Sequence, residues 1–145
     1  MIGSGEKMDK AQAAQINPVT LAFLGDAVYS LFVRGRLVWG RKGKAADFQR
    51  AAAKVESARG QSALLDKLLP LLNEEEEAVY KRGRNAKKAT KSKSASAAEY
   101  ARSTGLEAVL GYLYLIGNDE RINELLAVIE EKDLQGVAAE TPFKP

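Results

Sequence analysis

The sequence contains no cysteine and no histidine, and these two absences exclude several kinds of active site. Without them there can be no Ser-His-Asp triad, no thiolate nucleophile, no disulfide framework and no zinc site of the usual nitrogen and sulfur kind. If the chain is an enzyme, its chemistry rests on carboxylates, lysine, tyrosine or hydroxyl groups. Carboxylates and water are the natural ligands of Mg²⁺ and Mn²⁺. The lack of cysteine also fits a reducing cytoplasm.

Long apolar runs and strand signals are scarce as well. No apolar run reaches the ~18 residues that indicate a membrane span, and no secretory signal pattern opens the chain. We therefore expect a cytoplasmic protein with no membrane segment. The 145 residues suit one ordinary domain, and 46% of them are apolar, which is enough for a core. The sequence has no sustained period-two alternation and no Asn-Gly or Asp-Gly turn, so sheets are not expected.

Positive charge is concentrated in one segment. The net charge is only +3, but residues 81–93, "KRGRNAKKATKSK", hold seven basic residues and no acid. Removing those seven from the 22 basic residues leaves 15 against 19 acids, so the remainder is near −4. Such a patch indicates a polyanionic partner.

Helix signals are frequent and predict a single all-α domain. Asn17-Pro18 is typical of an N-cap followed by proline, and Asn73 with Glu76 forms a capping-box pattern. The predicted helices cover about 18–38, 45–54, 57–72, 74–83, 97–116 and 118–133. We place an N-terminal extension at 1–16, interpreted as partly a cloning remnant, the domain at 17–133 with a basic loop near 81–96, and a tail at 134–145.

The first long helix carries a solitary acid. On a helical wheel one stripe is apolar (Leu21, Leu24, Val28, Leu31 and Phe32), and Asp26 lies on the opposite face with Ala22, Tyr29 and Val33. That face is apolar too, which predicts a helix that is buried or covered by a partner. An ionised carboxylate there is costly unless it is paired or bound to a metal. Gly25 beside it favours close packing, because glycine costs about 1 kcal/mol in a helix interior.

The same combination recurs at 103–116, "STGLEAVLGYLYLI", where Glu107 is the only acid between Glu99 and Asp119. If the two helices cross at their glycines, the two carboxylates could meet and hold a divalent cation. The alternative is structural: each acid is salt-bridged, for instance to Arg34, Arg36 or Arg102. Spacing alone leaves both explanations open.

Four stretches of the sequence carry a family resemblance. "LAFLGDAV" looks like the signature motif of ribonuclease III, and "TGLEAVLGYLYL" resembles the second acidic helix of that fold. The stretches "EEEEAVYKRGRNAK" and "ESARGQSALL" are similar to segments of the Mini-III ribonucleases, which are ribonuclease III catalytic domains without a double-stranded-RNA-binding domain. The resemblance covers about residues 17–133.

The resemblance implies a helical domain that forms a homodimer and cleaves double-stranded RNA with Mg²⁺, for which Mn²⁺ can substitute. It places Asp26 and Glu107 on the two essential, metal-binding acids, and it implies products with a 5′-phosphate and a 3′-hydroxyl. The implied substrates are precursors of large-subunit ribosomal RNA. A cation held there would lower the pKa of a bound water and offset charge on the phosphate.

Two departures from full-length ribonucleases III thin the metal shell. Those enzymes usually have a glutamate four residues before the signature aspartate, where this chain has Ala22. They usually have an aspartate three residues before the later glutamate, where this chain has Thr104. Mini-III enzymes share both departures. The remaining ligands for a metal are then two carboxylates and water, and Thr104 is a candidate ligand through water.

Two charged runs have simple structural explanations to weigh. Acids at Glu74–Glu77 favour a helix start, and Glu77 can pair with Lys81, so we interpret this run as structural. The structural explanation for the basic segment is a solvated, flexible loop. Its excess of seven positive charges favours contact with phosphates instead, because duplex RNA is recognised mainly through shape and backbone. The RNA-binding candidates are Lys81, Arg82, Arg84, Asn85, Lys87, Lys88, Lys91 and Lys93. A non-catalytic RNA-binding or ribosome-associated protein on the same fold remains the alternative function, and retention of Asp26 and Glu107 favours the enzyme.

Overall fold

The computed structural model describes residues 5–86 and 96–134, which form helices and connecting segments without a β-sheet. This confirms the predicted all-α class. The α-helices are α1 (Lys10–Ala14), α2 (Pro18–Val38), α3 (Ala45–Glu56), α4 (Ala58–Leu68), α5 (Glu74–Asn85), α6 (Ala97–Leu115) and α7 (Asp119–Leu126). Short 3₁₀ turns at Leu69–Leu71 and Glu131–Asp133 follow α4 and α7. Among the described helices, none combines the length and the apolar character that a membrane crossing requires.

The helix starts follow from local sequence. The Asn17 side chain accepts a hydrogen bond from the Val19 backbone N–H at 2.8 Å, and Pro18 opens α2. The predicted capping box of α5 is present: Asn73 accepts from the Glu76 N–H at 2.9 Å, and Glu76 accepts from the Asn73 N–H at 3.0 Å. Gly117 ends α6 at the predicted residue. Its φ is 74°, a backbone conformation that residues other than glycine rarely adopt and that does not continue a helix.

Helices α2 and α6 form the centre of the domain and make its most extensive helix–helix contact. Helices α4 and α5 pack against α6, and α3 packs against α2. Residues 103–113 of α6 are all buried, so this helix is enclosed by its neighbours. The core therefore surrounds α6, and α2 lies across it.

The buried face of α2 differs from the predicted stripe. Ala22, Tyr29 and Val33, assigned to the opposite face, are buried, whereas Leu31 is 48% exposed. Leu24 and Phe32 are only partly buried. The cause is that α2 is apolar on almost all sides, so periodicity could not select the side that meets α6.

The other differences concern short or terminal pieces. The last helix ends at Leu126 rather than 133, because the chain turns through i→i+3 hydrogen bonds from the Val128 and Ile129 N–H groups. The Arg36 side chain donates a hydrogen bond to the Ile129 carbonyl, and this contact from α2 stabilises the turn. The predicted helix over 57–72 becomes α4 plus a 3₁₀ turn containing Pro70. Helix α1 was not predicted, since five residues show no periodicity.

Candidate active site

Helices α2 and α6 touch backbone to backbone at two glycines. A Cβ atom added to Gly25 would lie 1.6 Å from the carbonyl oxygen of Glu107, and one added to Gly111 would lie 2.1 Å from that of Leu21. Neither separation leaves room for any side chain. The predicted crossing of the two helices at their glycines is thus confirmed, and it sets the position of the adjacent acids.

Asp26 and Glu107 line the same open cavity, which has a volume of about 370 Å³. Asp26 is exposed to it, whereas Glu107 is only 7% exposed. The solitary acids therefore do not sit in a closed apolar core. They lie where two apolar helices leave an opening, which explains how Asp26 is tolerated on α2.

The three arginines that offered a structural explanation pair with other acids. Arg34 Nε lies 3.6 Å from Glu56, Arg36 Nη2 lies 3.2 Å from Glu131, and Arg102 Nη2 lies 2.9 Å from Asp66. These ion pairs are located on α3, α4 and the C-terminal turn.

Gln61 is a polar neighbour of Glu107. Its Nε2 donates to Glu107 Oε2 at 3.3 Å and to the backbone carbonyl of Glu56 at 3.0 Å. Gln61 is 2% exposed and also lines the cavity. The amide thus links the acid of α6 to the end of α3.

The structure brings Ser103 rather than Thr104 to the cavity. Ser103 is among the cavity-lining residues. The hydroxyl of Thr104 is buried and donates to the carbonyl of Tyr100 at 3.0 Å, within its own helix. A role for Thr104 through water stays a prediction.

Four polar residues that line the cavity were not selected from sequence: Glu56, Gln61, Tyr100 and Ser103. Two of them belong to "ESARGQSALL", a stretch noted only for its resemblance. The sequence did contain a signal for a corner between two helices: Ser57 caps α4, so a new helix starts immediately after Glu56. The fold of that corner, and not the residue pattern, brings Gln61 beneath α6.

Tyr29 is buried close to the site but is not suited to proton transfer. Its hydroxyl donates to the carbonyl of Val55 at 3.0 Å. Burial, followed by the nearby Glu56 carboxylate, raises the pKa of Tyr29 well above its ordinary value. The phenol therefore stays protonated at neutral pH.

The acidic run is structural, as predicted. Glu77 pairs with Lys81 at 2.8 Å one turn on. Glu76 is 2% exposed and accepts two hydrogen bonds from Arg121, both at 2.8 Å. Burial raises the pKa of Glu76. The hydrogen bonds from Arg121 and from the Asn73 backbone together lower the pKa by more than burial raises it, so the pKa lies below the usual range.

The described basic candidates are partly engaged within the chain. Arg82 donates to the carbonyls of Ala14 and Ile16, and so attaches the end of α5 to the segment before α2. Arg84 lies over the Tyr80 ring, 5.7 Å from its centre, and donates to the Asn85 side chain at 3.3 Å. Lys87, Lys88, Lys91 and Lys93 lie outside the described residues. Phosphate contact by this segment stays a prediction.

The donors in the cavity suit a hard divalent cation. Within residues 5–86 and 96–134 no three Asp or Glu side chains come together as a complete metal-binding group. Mg²⁺ is commonly held by one or two carboxylates, with water and substrate phosphate completing its shell. Asp26 and Glu107 match that requirement, and they are the residues that would hold such an ion.

The sequence is similar to those of known ribonucleases. Residues 19–118 match the family model of the ribonuclease III domain. Three relatives are each named Mini-ribonuclease 3. That of Symbiobacterium thermophilum is 48% identical, covering 82% of this chain and 92% of its own. That of Clostridium tetani is 39% identical, covering 86% and 83%. That of Streptococcus pneumoniae is 43% identical, covering 77% and 89%.

A solved structure agrees with the fold. The crystal structure of a protein from Fusobacterium nucleatum superposes with a TM-score of 0.71 at 28% identity, covering 79% of this chain and 91% of the other. The matched region contains both glycines of the helix crossing and both cavity acids. The chain therefore belongs to the ribonuclease III family, within its Mini-ribonuclease 3 group, and is an endoribonuclease.

Proposed function

We propose that the chain hydrolyses double-stranded RNA with a divalent cation, Mg²⁺ or in its place Mn²⁺, held by Asp26 and Glu107. The observation that carries the proposal is that these two acids, from helices that touch at Gly25 and Gly111, line one open cavity. The oxygen donors there suit Mg²⁺, and the sequence offers no histidine or cysteine for other chemistry.

The reaction needs only water and charge stabilisation. The water oxygen bonds to phosphorus, the bond from phosphorus to the 3′-oxygen breaks, and that oxygen takes up a proton, which leaves a 5′-phosphate and a 3′-hydroxyl. When bound, a divalent cation lowers the pKa of water and offsets charge on the phosphate. The protein supplies the oxygen ligands on two rigid helices, and Tyr29, held protonated, does not compete as a base.

The test compares single acids in a cleavage assay. Asp26→Asn and Glu107→Gln should abolish cleavage of a long RNA duplex in Mg²⁺ while the melting temperature and duplex binding stay near wild type. Glu120→Gln, on the exposed start of α7, is the matched control and should cut at the wild-type rate. An Asp26→Asn protein that still cleaves at that rate would contradict the metal site. Duplex binding without cleavage by the wild type would favour the non-catalytic alternative.

We further propose that the enzyme works as a symmetric homodimer. The support is an exposed apolar stripe on α2: Phe23 is 81% exposed, and Leu31 and Val38 follow it at spacings of eight and seven residues. Trp39 extends the stripe beyond the helix. A two-fold pair would set two active sites along one duplex, one for each strand.

The segment 81–93 is proposed to contact RNA phosphates. Its seven positive charges form the densest basic stretch of the chain. Among the charges that the structure describes, Lys81 pairs with Glu77, Arg82 donates to backbone carbonyls, and Arg84 donates to the Asn85 side chain. Each phosphate contact contributes a slope of about −0.9 to log K against log salt on duplex DNA. Replacing Lys87, Lys88, Lys91 and Lys93 with alanine should flatten the slope, measured in Ca²⁺, by up to ~3–4 for each segment. An unchanged slope would show that these four lysines do not contact phosphate and that the segment only connects its neighbours.

The substrates we propose are precursors of large-subunit ribosomal RNA in the cytoplasm. Support comes from membership of the Mini-ribonuclease 3 group. The measurement is mapping of cut sites on a precursor transcript beside an unrelated duplex of equal length. Equal, scattered cutting of both would contradict a dedicated precursor substrate.

A further inference from the structure

Gln61 owes its position to a tight corner between α3 and α4. Ser57 caps α4 by accepting from the Gly60 N–H at 3.0 Å. A Cβ atom on Gly60 would lie 2.1 Å from the carbonyl oxygen of Lys54, so the corner closes only around glycine. The residue that follows Gly60 is therefore held directly against the end of α3, under the carboxylate of Glu107.

The orientation of the Gln61 amide is determined by its neighbours. Both atoms that face its nitrogen are oxygens, one from Glu107 and one from the Glu56 carbonyl. A reversed amide would place an oxygen against two oxygens, which is repulsive. Gln61 thus gives one proton to each and connects the cavity acid to a fixed backbone atom.

The same amide carries a cost for the fold. Its Oε1 is buried and has no hydrogen-bond partner within the described part of the chain. Buried polar atoms are nearly always paired, so an exception needs an explanation. An apolar side chain of equal length would fill this place without an unpaired acceptor, and packing alone does not account for glutamine.

We propose that Gln61 is a positioning residue for the active site. Its amide holds the Glu107 carboxylate in the orientation in which that carboxylate and Asp26 together bind the divalent cation. The proposal rests on the metal site proposed above. It does not make Gln61 a ligand of the metal, and it assigns no proton transfer to the amide.

The test measures metal binding without RNA. Mn²⁺ alone is titrated into the protein and followed by electron paramagnetic resonance, with melting temperature recorded for each variant in the absence of metal. Gln61→Met keeps the length of the side chain and removes both donated protons. Outer partners of metal ligands are typically worth about 10–100-fold in affinity or activity, and we expect a loss of Mn²⁺ affinity in that range. At saturating duplex RNA kcat should fall by a similar factor, while KM for RNA stays unchanged.

Two controls separate positioning from general loosening. Leu64→Ala, one turn further on α4, removes core packing, and it should lower the melting temperature without changing Mn²⁺ affinity. Gln49→Met makes the same chemical change at an exposed site on α3 and should change neither quantity. If Gln61→Met does not fold, Gln61→Asn keeps the amide but is one methylene too short to reach both oxygens, and it should show the same loss.

The outcomes distinguish the two proposals. If Asp26→Asn lowers Mn²⁺ affinity and Gln61→Met does not, the positioning role is overturned and the metal site stands. If Leu64→Ala lowers the affinity as much as Gln61→Met, the role of Gln61 is merely structural, and the positioning role is also overturned. If Asp26→Asn and Glu107→Gln bind Mn²⁺ like the wild type, the metal site itself is overturned.

Discussion

Glu76 shows how one residue can differ from three chemically identical neighbours. In the run of Glu74 to Glu77 it alone is buried, and its two hydrogen bonds from Arg121 join the start of α5 to α7. Burial of a carboxylate is tolerated there because charged partners and the capping box satisfy it. The run as a whole supports the fold rather than the chemistry.

We expect Glu76→Gln to lower the free energy of unfolding at pH 7 by about 1.5–3 kcal/mol, the usual worth of hydrogen bonds to a charged group. Glutamine can keep the capping-box geometry, so the change isolates the ion pair with Arg121. Urea unfolding measures it. Glu77→Gln, whose carboxylate pairs with Lys81 at the surface, is the matched control and should be neutral.

The pH dependence has a definite sign. The folded-state pKa of Glu76 lies below its unfolded value, so its contribution is present in full above the unfolded pKa of about 4.3. That contribution is lost as the pH falls through the lower folded-state value. The difference in stability between wild type and Glu76→Gln should therefore shrink on acidification below pH 4. A constant difference would contradict this assignment.

At the scale of helices, the contact of α2 with α6 leaves no space at its glycines. Gly25→Ala would place a methyl group within 1.6 Å of the Glu107 carbonyl, so the helices must move apart. We expect a loss of stability at or above the ~1–3 kcal/mol typical of overpacking, and loss of cleavage because the two acids separate. Thermal melts and the duplex cleavage assay measure the two effects.

Gly35→Ala is the control on the same helix. Nothing lies within 4 Å of a Cβ atom there, so alanine should stabilise the protein by up to about 1 kcal/mol through helix propensity. Equal effects of the two substitutions would show that the glycines act through propensity and not through contact.

Sequence was sufficient for features encoded by neighbouring residues. The starts of α2 and α5 depend on Asn17 and Asn73, whose side chains bond to backbone groups two or three residues away. The end of the last helix was not predictable in this way. The Ile129 carbonyl accepts a hydrogen bond from Arg36, which lies more than 90 positions earlier in the chain. The contact of Gln61 with Glu107 has the same character and was missed. Asp26 and Glu107 were singled out because an acid in an apolar helix is anomalous, but only the family resemblance assigned them to a metal site, and that assignment stays a prediction.

At the scale of the whole molecule, the exposed stripe of α2 predicts self-association. Leu31→Glu should prevent formation of the proposed dimer, because a charge would be buried where an apolar contact is expected. Leu71→Glu is a close control, since both leucines are 48% exposed and Leu71 lies in the 3₁₀ turn after α4. Light scattering gives the masses. A wild-type protein with the mass of one chain would contradict the dimer.

The crossing of α2 and α6 also has a consequence for synthesis of the protein. Gly25 and Gly111 touch across the helix pair but are 86 positions apart in the chain, so a large loop must close before they meet. Translation delivers Asp26 early and Glu107 late, and the cavity between them does not exist until α6 has left the ribosome and packed. A nascent chain that carries only α2 to α5 therefore has one of the two cavity acids and lacks the cavity itself.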